Sequence, residues 1–378
     1  MRVLILSSLY PPVVGGTELQ AQGLARALDT LGVQVSILTR PVSGADPQDR
    51  DGDIRIYRRL SALAVGPLWG LTYMLSTQRW LRRLQREWDV VHNQQVALHS
   101  WPSVRLARAL GRPCLLRFAA LGRGGDLAVL SRHRFGHRMV SQLADAGRFI
   151  ALTPAGAQEI RSYHLPEERV RCIPNGVDLE RFKPQPWPLV SDQDPLRLLF
   201  VGRLAPEKGL DILLQALQGV NDRTRFGLRI VGAGPEETRL REFVAHSGLS
   251  ATVEFCGSQR DPIPHYAWCE LLVLPSHFEG MPNVVLEAMA SARPVLGTQV
   301  DGTSNLIREG LDGWLVPSAD PEALARRLER IANERSSLAS VGCSGRQRAE
   351  ASYSLARVAT RYVSEYQAML STEGAMST

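Results

Sequence analysis

The chain has 378 residues, of which 44% are hydrophobic and 22% are charged, and its formal net charge is +6. This composition is typical of a soluble globular protein, and the length exceeds what one hydrophobic core usually supports, so we expect two domains. No apolar run approaches the roughly 20 residues of a membrane-spanning helix, and the five scattered cysteines include no C-x-x-C pair, so neither a disulfide framework nor a zinc site is indicated.

The positive charge is concentrated in the first half of the chain. Through Asp178 the sequence contains 23 arginines and 14 acidic residues, a net charge of +9, whereas the remainder carries −3. This asymmetry favours an acidic partner or an anionic membrane face, and the lack of any recognition-helix or RNA-module signature argues against nucleic acid. Only two lysines, Lys183 and Lys208, occur in a chain that otherwise uses arginine.

Short apolar runs alternate with stretches of helical periodicity along the whole chain. In the first half they predict strands at Val3–Ser8, Val33–Thr39, Ile54–Tyr57, Val90–His92, Cys114–Phe118 and Phe149–Thr153. In the second half they predict strands at Leu196–Val201, Leu228–Val231, Val253–Cys256, Leu271–Leu274, Pro294–Thr298 and Trp314–Val316. The alternation occurs twice, so we predict an α/β protein with two open, mostly parallel, doubly wound sheets.

A segment rich in proline, glycine and asparagine, residues 175–190, is the predicted hinge. We therefore assign residues 1–177 to an N-terminal and residues 178–353 to a C-terminal Rossmann-like domain. The helix predicted at 354–370 follows no strand, so we expect it to pack back on the first domain, and residues 371–378 have the character of a flexible tail. With the two domains facing each other, the carboxyl ends of both sheets would meet at a central cleft.

The stretch from Trp69 to Trp88 is amphipathic when it is projected at about 100° per residue. One side carries Tyr73, Trp80, Leu81, Leu84 and Trp88, and the other carries Arg79, Arg82, Arg83 and Arg86. A helix packed on its own domain explains this pattern. The alternative is a surface that meets anionic lipid headgroups, which Arg132, Arg134 and Arg138 would extend.

Two adjacent glycines, Gly15 and Gly16, follow the first predicted strand and open the first helix, with Thr17 next in the chain. Paired glycines let a backbone approach a phosphate closely, and a helix N-terminus attracts anions. A plain turn is the alternative. Opposite a basic rim in the other domain, a phosphate-facing loop is the favoured interpretation.

Such a basic rim is predicted after the first strand of the second half. The segment from Gly202 to Gly209 joins that strand to a helix and contains Arg203 and Lys208. A planar guanidinium and a compact ammonium both suit a diphosphate. The alternative is an ordinary basic loop beside Glu207.

The segment from His277 to Glu287 places two carboxylates around the start of a helix. A buried-looking strand precedes it, and Pro282 is well placed at a helix start, where its missing N–H costs nothing. Glu279 would then lie in the loop and Glu287 about one turn inside the helix. The segment thus offers two acceptors for hydroxyl groups and a helix N-terminus for a phosphate, a combination that a nucleotide sugar needs.

Together these motifs resemble the retaining GT-B glycosyltransferases of family 4, also called glycosyltransferase group 1. The resemblance extends over nearly the whole chain. Its most specific parts are the E-x7-E pair that ends at Glu287, the G-R-x-x-x-E-K-G segment that begins at Gly202, and the I-P-N-G-V-D segment that begins at Ile173.

The resemblance implies a donor site in the C-terminal domain. Arg203 and Lys208 would bind the donor diphosphate and stabilise the leaving nucleoside diphosphate, and Glu279 would hold hydroxyls of the transferred sugar. These three are the implied catalytic residues, and Glu287 would take the ribose hydroxyls. The backbone implied to line the sugar and the phosphates is that of Gly280, Met281, Pro282 and Asn283.

The family pattern also implies that Gly15 and Gly16 close over the phosphates from the other domain. Neither a metal nor a cofactor is implied, because the basic side chains and the helix N-terminus supply the charge and the nucleotide sugar is a substrate. Many members carry a histidine after a middle strand of the first domain. The stretch from Arg117 to Gly122 has none, so the acceptor-side candidates are Thr17, Arg117 and Asp126.

The implied activity is metal-independent transfer of a hexosyl-type sugar, with retention, from a UDP-, GDP- or ADP-sugar to a glycan, lipid-linked or small-molecule acceptor. Such transfer would serve polysaccharide or glycoconjugate biosynthesis in the cytoplasm, with peripheral contact at the inner face of the membrane through the basic domain. One alternative is a nucleotide-sugar epimerase on the same fold, which would isomerise its substrate without an acceptor. Another is a non-catalytic subunit that retains the fold.

Overall fold

The computed structural model describes residues 1–13, 15–63, 68–120, 122, 125–133, 135–188, 191 and 193–376. The chain folds as two compact units. The first comprises Met1–Gly176 with Leu355–Thr378, and the second comprises Val177–Ser354. The chain passes between them at residues 176–177 and 354–355, which is one residue from each predicted domain boundary.

Among the described residues, the first unit has an eight-stranded sheet in the order β3-β4-β2-β1-β5-β6-β7-β8. Its strands are β1 (Arg2–Leu6), β2 (Gln34–Thr39), β3 (Gln48–Asp51), β4 (Ile54–Arg58), β5 (Val90–Asn93), β6 (Cys114–Arg117), β7 (Arg148–Ala151) and β8 (Val170–Cys172). All neighbours are parallel except β3 and β4, which are antiparallel. The strand order reverses between β1 and β5, so a ligand is expected at the carboxyl ends of these strands.

Helices cover both faces of this sheet. They are α1 (Gly16–Thr30), α2 (Leu68–Arg83), α3 (Ser100–Ala109), α4 (Asp126–Ser131), α5 (Gly136–Gln142), α6 (Pro154–Ser162) and, at the end of the chain, α14 (Leu355–Met376). Successive residues of β1 point to opposite faces, so Leu4 and Leu6 join one buried core and Val3 and Ile5 join the other. Continuous apolar strands such as β1 are therefore explained by burial on both sides.

The second unit has a six-stranded, wholly parallel sheet among its described residues, in the order β11-β10-β9-β12-β13-β14. Its strands are β9 (Leu196–Val201), β10 (Phe226–Val231), β11 (Val253–Gly257), β12 (Leu271–Leu274), β13 (Val295–Thr298) and β14 (Gly313–Val316). Its helices are α7 (Leu210–Gly219), α8 (Glu237–His246), α9 (Ile263–Trp268), α10 (Asn283–Ala290), α11 (Asp301–Ser304), α12 (Pro321–Asn333) and α13 (Leu338–Ser352). The order reverses between β9 and β12, and the predicted donor motifs follow these two strands.

All twelve predicted strands are present, and the structure adds β3 and β8. The predicted hinge, residues 175–190, is too long. Described residues beyond 177 pack on the second unit, where Phe182 is buried and the Arg293 guanidinium donates to the carbonyl oxygen of Pro186 and lies over the Trp187 ring. Apolar and polar contacts to one unit therefore anchor a segment whose composition suggested a linker.

The predicted flexible tail, residues 371–378, is wrong for most of its length because α14 continues through Met376. Ser371 and Thr372 each donate a hydroxyl hydrogen bond to the carbonyl oxygen four residues earlier, and no proline interrupts the helix. Residues 377 and 378 lie outside the described residues. No helix in the described ranges combines the length and the hydropathy that crossing a membrane requires.

The amphipathic stretch from Trp69 to Trp88 forms α2 and the turn after it. Tyr73, Leu81, Leu84 and Trp88 are buried in the first unit's core, whereas Trp80 is only half-buried. Its ring is flanked by the guanidinium groups of Arg59 and Arg83. Packing on its own domain therefore explains the apolar side of this stretch. The arginines of the other side are exposed, and Arg134 lies outside the described residues.

Candidate active site

Three loops of the second unit, which follow β9, β12 and β13, pack against one another. The His277 N–H donates to the Glu207 carbonyl oxygen at 2.9 Å, and the Gly302 N–H donates to the Glu279 carbonyl oxygen at 3.2 Å. Gly209 has a φ of +60°, and a β-carbon there would lie 2.2 Å from the Pro275 carbonyl oxygen. Glycine is therefore required at Gly209, and the loops after β9 and β12 are held in direct contact.

Lys208 and Glu279 form an ion pair at the centre of these loops. Lys208 Nζ lies 2.6 Å from Glu279 Oε1, and the two side chains are 23% and 8% exposed. The Ser276 hydroxyl donates a second hydrogen bond to the same carboxylate oxygen at 2.7 Å. The sequence motif predicted that both Lys208 and Glu279 belong to the site, but not that they pair. Ser276 was not predicted, and its position directly after a buried strand was the available signal.

Buried hydroxyl groups fix the backbone behind this pair. The Thr298 hydroxyl donates to the Ser276 carbonyl oxygen, and the Thr303 hydroxyl donates to the Thr298 carbonyl oxygen. All three side chains are buried. Because a buried hydroxyl that lost its partner would be costly, this chain restrains the backbone that presents Ser276 and Glu279.

Arg203 occupies a more open position than Lys208. Its guanidinium lies 2.6 Å from the Glu207 carboxylate and its side chain is 67% exposed. Burial acts to raise the pKa of Glu207, but the hydrogen bond from Arg203 and the positive charges of Arg203 and Lys208 outweigh it, so the pKa is lowered. Both cations therefore act on one carboxylate, and the predicted basic rim is partly neutralised by Glu207.

The helix predicted to start at Pro282 or Asn283 is α10, which begins at Asn283 with Pro282 as its N-cap. Met281 and Pro282 before it are buried, whereas Gly280 and Asn283 are half-buried. Glu287 lies on the second turn, as predicted.

The Glu287 carboxylate accepts a hydrogen bond from the Tyr266 hydroxyl at 2.9 Å. Burial raises the pKa of Glu287, and the Tyr266 hydrogen bond and the positive charge of Arg181 oppose the shift. Tyr266 is fully buried and packs edge-on against Phe182, with 6.0 Å between the ring centroids. Sequence reasoning missed Tyr266, which has no motif of its own.

In the first unit, Gly15 is the N-cap of α1, and Gly16 and Thr17 form its first turn. A β-carbon on Gly15 would lie 2.3 Å from Glu18 Oε2, so the Glu18 carboxylate occupies the space beside this glycine. Burial raises the pKa of Glu18, and a hydrogen bond from its own backbone N–H opposes the shift. A side-chain carboxylate therefore already lies at the helix N-terminus where a phosphate was predicted.

The acceptor-side candidates Arg117 and Asp126 are engaged in the first unit. Arg117 is 3% exposed and its guanidinium donates to the Gln94 carbonyl oxygen at 2.8 Å and to the Asn175 side chain. Asp126 Oδ2 accepts from the Ala119 N–H at 2.7 Å, and burial raises the pKa of this carboxyl to about 6 against the opposing effect of backbone hydrogen bonds. Arg117 thus holds neighbouring loops together, whereas Asp126 is a buried carboxyl with a raised pKa.

His92 lies near the carboxyl end of β5, the strand that pairs with β6. It is fully buried, and its Nδ1 lies 2.6 Å from the Tyr366 hydroxyl of α14. Burial lowers the pKa of His92 to about 3, with the charge of Arg117 adding to the effect, so the imidazole is neutral. Within the described ranges, no group of three or more His, Cys, Asp or Glu side chains is arranged to hold a metal ion.

Two doubly wound units, one with a Lys-Glu pair and a helix N-terminus at its switch point, define the architecture of a GT-B glycosyltransferase. Residues 14–181 match the model of the family described as "Glycosyltransferase Family 4", and residues 195–334 match "Glycosyl transferases group 1". The two matches together span most of the chain. The chain belongs to the family 4, group 1 glycosyltransferases, and it has the GT-B fold.

Among curated relatives, the D-inositol 3-phosphate glycosyltransferase of Streptomyces bingchenggensis (strain BCW-1) is 29% identical over 89% of this chain and 81% of its own length. The putative colanic acid biosynthesis glycosyltransferase WcaL of Escherichia coli (strain K12) is 33% identical over 46% of this chain and 44% of its own. Both names place these relatives among the glycosyltransferases, as the family assignment requires.

Two solved structures share the fold. Sucrose-phosphate synthase from Thermosynechococcus elongatus matches with a TM-score of 0.83 at 21% identity and covers 98% of this chain and 99% of its own. Anabaena Alr3699/HepE in complex with UDP-glucose matches with a TM-score of 0.77 at 18% identity and covers 97% of this chain and 99% of its own.

Proposed function

We propose that this protein transfers a hexosyl-type sugar, with retention and without a metal, from a nucleoside diphosphate to a glycan, lipid-linked or small-molecule acceptor. The observation that carries the proposal is the ion pair of Lys208 with the buried Glu279, in the loops that lead to α10. A buried carboxylate held by an ammonium and a hydroxyl is an acceptor with a fixed orientation. The partly exposed ammonium beside it is a fixed donor.

The donor diphosphate is assigned to the cationic side of this site. An ammonium has three N–H donors, and Glu279 takes one of them from Lys208. Arg203 is exposed enough to exchange Glu207 for a phosphate oxygen, and the N-terminal end of α10 favours negative charge. These groups would stabilise the leaving nucleoside diphosphate without a metal.

The sugar and the ribose are assigned to the two carboxylates. Lys208 and Ser276 both bind Oε1 of Glu279, so Oε2 is the oxygen that we assign to a hydroxyl of the transferred sugar. Tyr266 binds Oε2 of Glu287, so Oε1 is assigned to the ribose hydroxyls. The backbone of Gly280–Asn283 would line the sugar and the phosphates between them.

The relatives support a nucleotide-sugar donor. The Anabaena protein has been crystallised with UDP and with UDP-glucose, so a UDP-sugar is the first donor to test here. All five cysteines are thiols, which fits the reducing cytoplasm in which we place the reaction. On the acceptor side we assign Asp126, whose pKa burial raises to about 6, with Thr17 beside the α1 N-terminus.

The test begins with thermal shifts of the full chain in a panel of UDP-, GDP- and ADP-sugars, followed by transfer assays with a chelator present. We expect one donor to raise the melting temperature, and transfer to continue in the chelator. Lys208→Ala should lower kcat/KM about 10²- to 10³-fold, because it removes a cation from the developing diphosphate charge. Glu279→Gln should depress turnover with less effect on nucleotide affinity.

Lys183→Ala is the matched control, since Lys183 is exposed and paired only with exposed Glu180 among the described residues. Wild-type rates in both site variants would refute the assigned roles. Binding of no nucleotide sugar would refute the proposed function, and an isomerised nucleotide sugar formed without an acceptor would identify an epimerase instead.

A further inference from the structure

A concave site lies on the helical face of the first unit, between α2, α3 and α5. Its volume is about 880 Å³. Met74, Trp101 and Met139 give it apolar walls, and Arg105 and Arg138 are among its charged lining residues. An apolar cavity of this size lined by several guanidinium groups fits the part of an amphiphile where hydrocarbon meets an anionic group.

Among the described residues, the protein neutralises only part of the charge at this cavity. Arg108, which also lines it, lies 2.5 Å from Asp145. Arg105 instead lies over the Trp101 ring, 4.8 Å from its centroid, and Arg138 is exposed. Neither has an acidic partner within ion-pairing distance in the part of the chain that the structure describes. Two guanidinium groups with unused N–H donors therefore lie beside an apolar wall.

Exposed apolar side chains extend the same face. On α2, Leu68, Leu71 and Leu75 are 48%, 51% and 55% exposed, and their spacing of three and four residues puts them in one row beside Met74. Phe135, which lines the cavity, is 64% exposed. Single exposed leucines are ordinary, but a row of them beside an open apolar cavity indicates a surface that is covered in use.

The arginines around the cavity indicate what kind of ligand binds there. Arg79, Arg82, Arg83 and Arg86 continue α2 and the turn after it and are exposed or largely so, and the first 178 residues carry a net charge of +9. A row of leucines with arginines at its flank is the arrangement of a segment that lies at a membrane surface. An acidic protein partner would match the arginines but would leave the cavity without a hydrocarbon group.

We propose that this face docks on a bilayer that contains acidic phospholipids. Arg105 and Arg138 bind the headgroup phosphate, Met74, Trp101 and Met139 surround the first acyl methylenes, and the α2 leucines enter the interface. Arg108 and Asp145 mark the end of the cavity next to the amino ends of β6 and β7.

The test measures binding of the full chain to vesicles of phosphatidylcholine alone and of an equimolar mixture with phosphatidylglycerol. We expect binding to the acidic vesicles only. The double variant Arg105→Gln/Arg138→Gln should bind about thirtyfold more weakly, which is the effect of removing two arginines from an anionic surface. Leu71→Gln/Leu75→Gln should also weaken binding, and with less dependence on salt, because it removes apolar rather than charged contacts.

Arg326→Gln/Arg330→Gln on α12 is the matched control, because it removes the same charge from exposed positions of the second unit. Equal weakening in the control would show that net charge alone drives binding and would overturn the assigned face. So would binding to neutral vesicles at the same strength. Release by inorganic phosphate at modest concentration would show that the arginines bind a free anion rather than a lipid headgroup. Melting curves of each variant confirm that it is folded.

Discussion

At the scale of single residues, two donors with different roles hold the Glu279 carboxylate. The Lys208 ammonium supplies the opposite charge, and the Ser276 hydroxyl supplies a directional bond to the same oxygen. Because the carboxylate is almost fully buried, water cannot replace either donor at low cost. Substitution of Lys208 removes the opposite charge, and substitution of Ser276 removes the directional bond to Glu279. The two contributions can therefore be tested separately.

Ser276→Ala is expected to lower the free energy of unfolding by about 2 kcal/mol, as for loss of a hydrogen bond to a charged group. It should also lower turnover more than nucleotide affinity, because Lys208 remains in place while the carboxylate loses its fixed orientation. Urea-induced unfolding and steady-state kinetics measure the two effects. Ser318→Ala is the control, since that hydroxyl lies a long 3.4 Å from the Ser276 carbonyl oxygen. A Ser276→Ala protein as stable and active as the control would contradict this role.

At the scale of elements, sequence reasoning located the strands that are apolar and failed on those that are not. β1 and β9 are mostly apolar and buried, and the pattern predicts them directly. β3 has the sequence Gln-Asp-Arg-Asp and is mostly exposed at the edge of its sheet, so backbone pairing with β4 alone defines it. β8 has only three residues at the other edge. Neither carries a periodic signal.

At the candidate active site, too, sequence reasoning located some features and missed others. The spacing from Glu279 to Glu287 placed one carboxylate in a loop and the other on a helix, and α10 has this arrangement. The Tyr266 hydroxyl reaches Glu287 from 21 residues away, so no local pattern contained that contact. Ser276 and Glu279 are only three residues apart, and their contact depends on how the loop after β12 folds. Arg203 and Glu207 are likewise four residues apart, and their pairing depends on the turn between β9 and α7.

The loop after β12 depends on a glycine in another element. A β-carbon on Gly302 of α11 would lie 2.8 Å from the Glu279 carbonyl oxygen and 2.9 Å from that of Gly280. Because both atoms are backbone, Gly302→Ala should push the loop away, destabilise the protein by about 1–3 kcal/mol and weaken donor binding. Thermal melting and donor titration measure these effects.

Gly219→Ala is the control for that substitution, since a β-carbon at this end of α7 meets nothing within 4 Å. It should leave donor binding unchanged and alter stability by less than about 1 kcal/mol. If Gly302→Ala behaves in the same way, the close approach of α11 does not position the loop.

At the scale of the whole molecule, the last helix belongs to the first unit although the chain reaches it only after completing the second. Val358, Ala359, Tyr362, Tyr366 and Met369 of α14 are buried in the same core as β1 and α1. Glu365 adds ion pairs to Arg148 at the start of β7 and to Arg171 in β8. The first unit is therefore incomplete until the end of the chain is synthesised, whereas residues 177–354 are contiguous.

Truncation after Ser354 should consequently unfold the first unit and leave the second folded. Full burial of one large apolar side chain contributes about 1.5–3 kcal/mol, so Val358, Tyr362, Tyr366 and Met369 together contribute about 6–12 kcal/mol, which is comparable with the 5–15 kcal/mol that typically stabilises a whole domain. The truncation also leaves the buried His92 imidazole without its Tyr366 partner.

Hydrogen exchange followed by mass spectrometry should show rapid exchange in β1, β2, β5, β6 and β7 and continued protection in β9, β10 and β12. Truncation after Leu370 removes no residue of the described core and should leave both units protected. If the strands of the first unit stay protected after truncation at Ser354, this unit folds without α14.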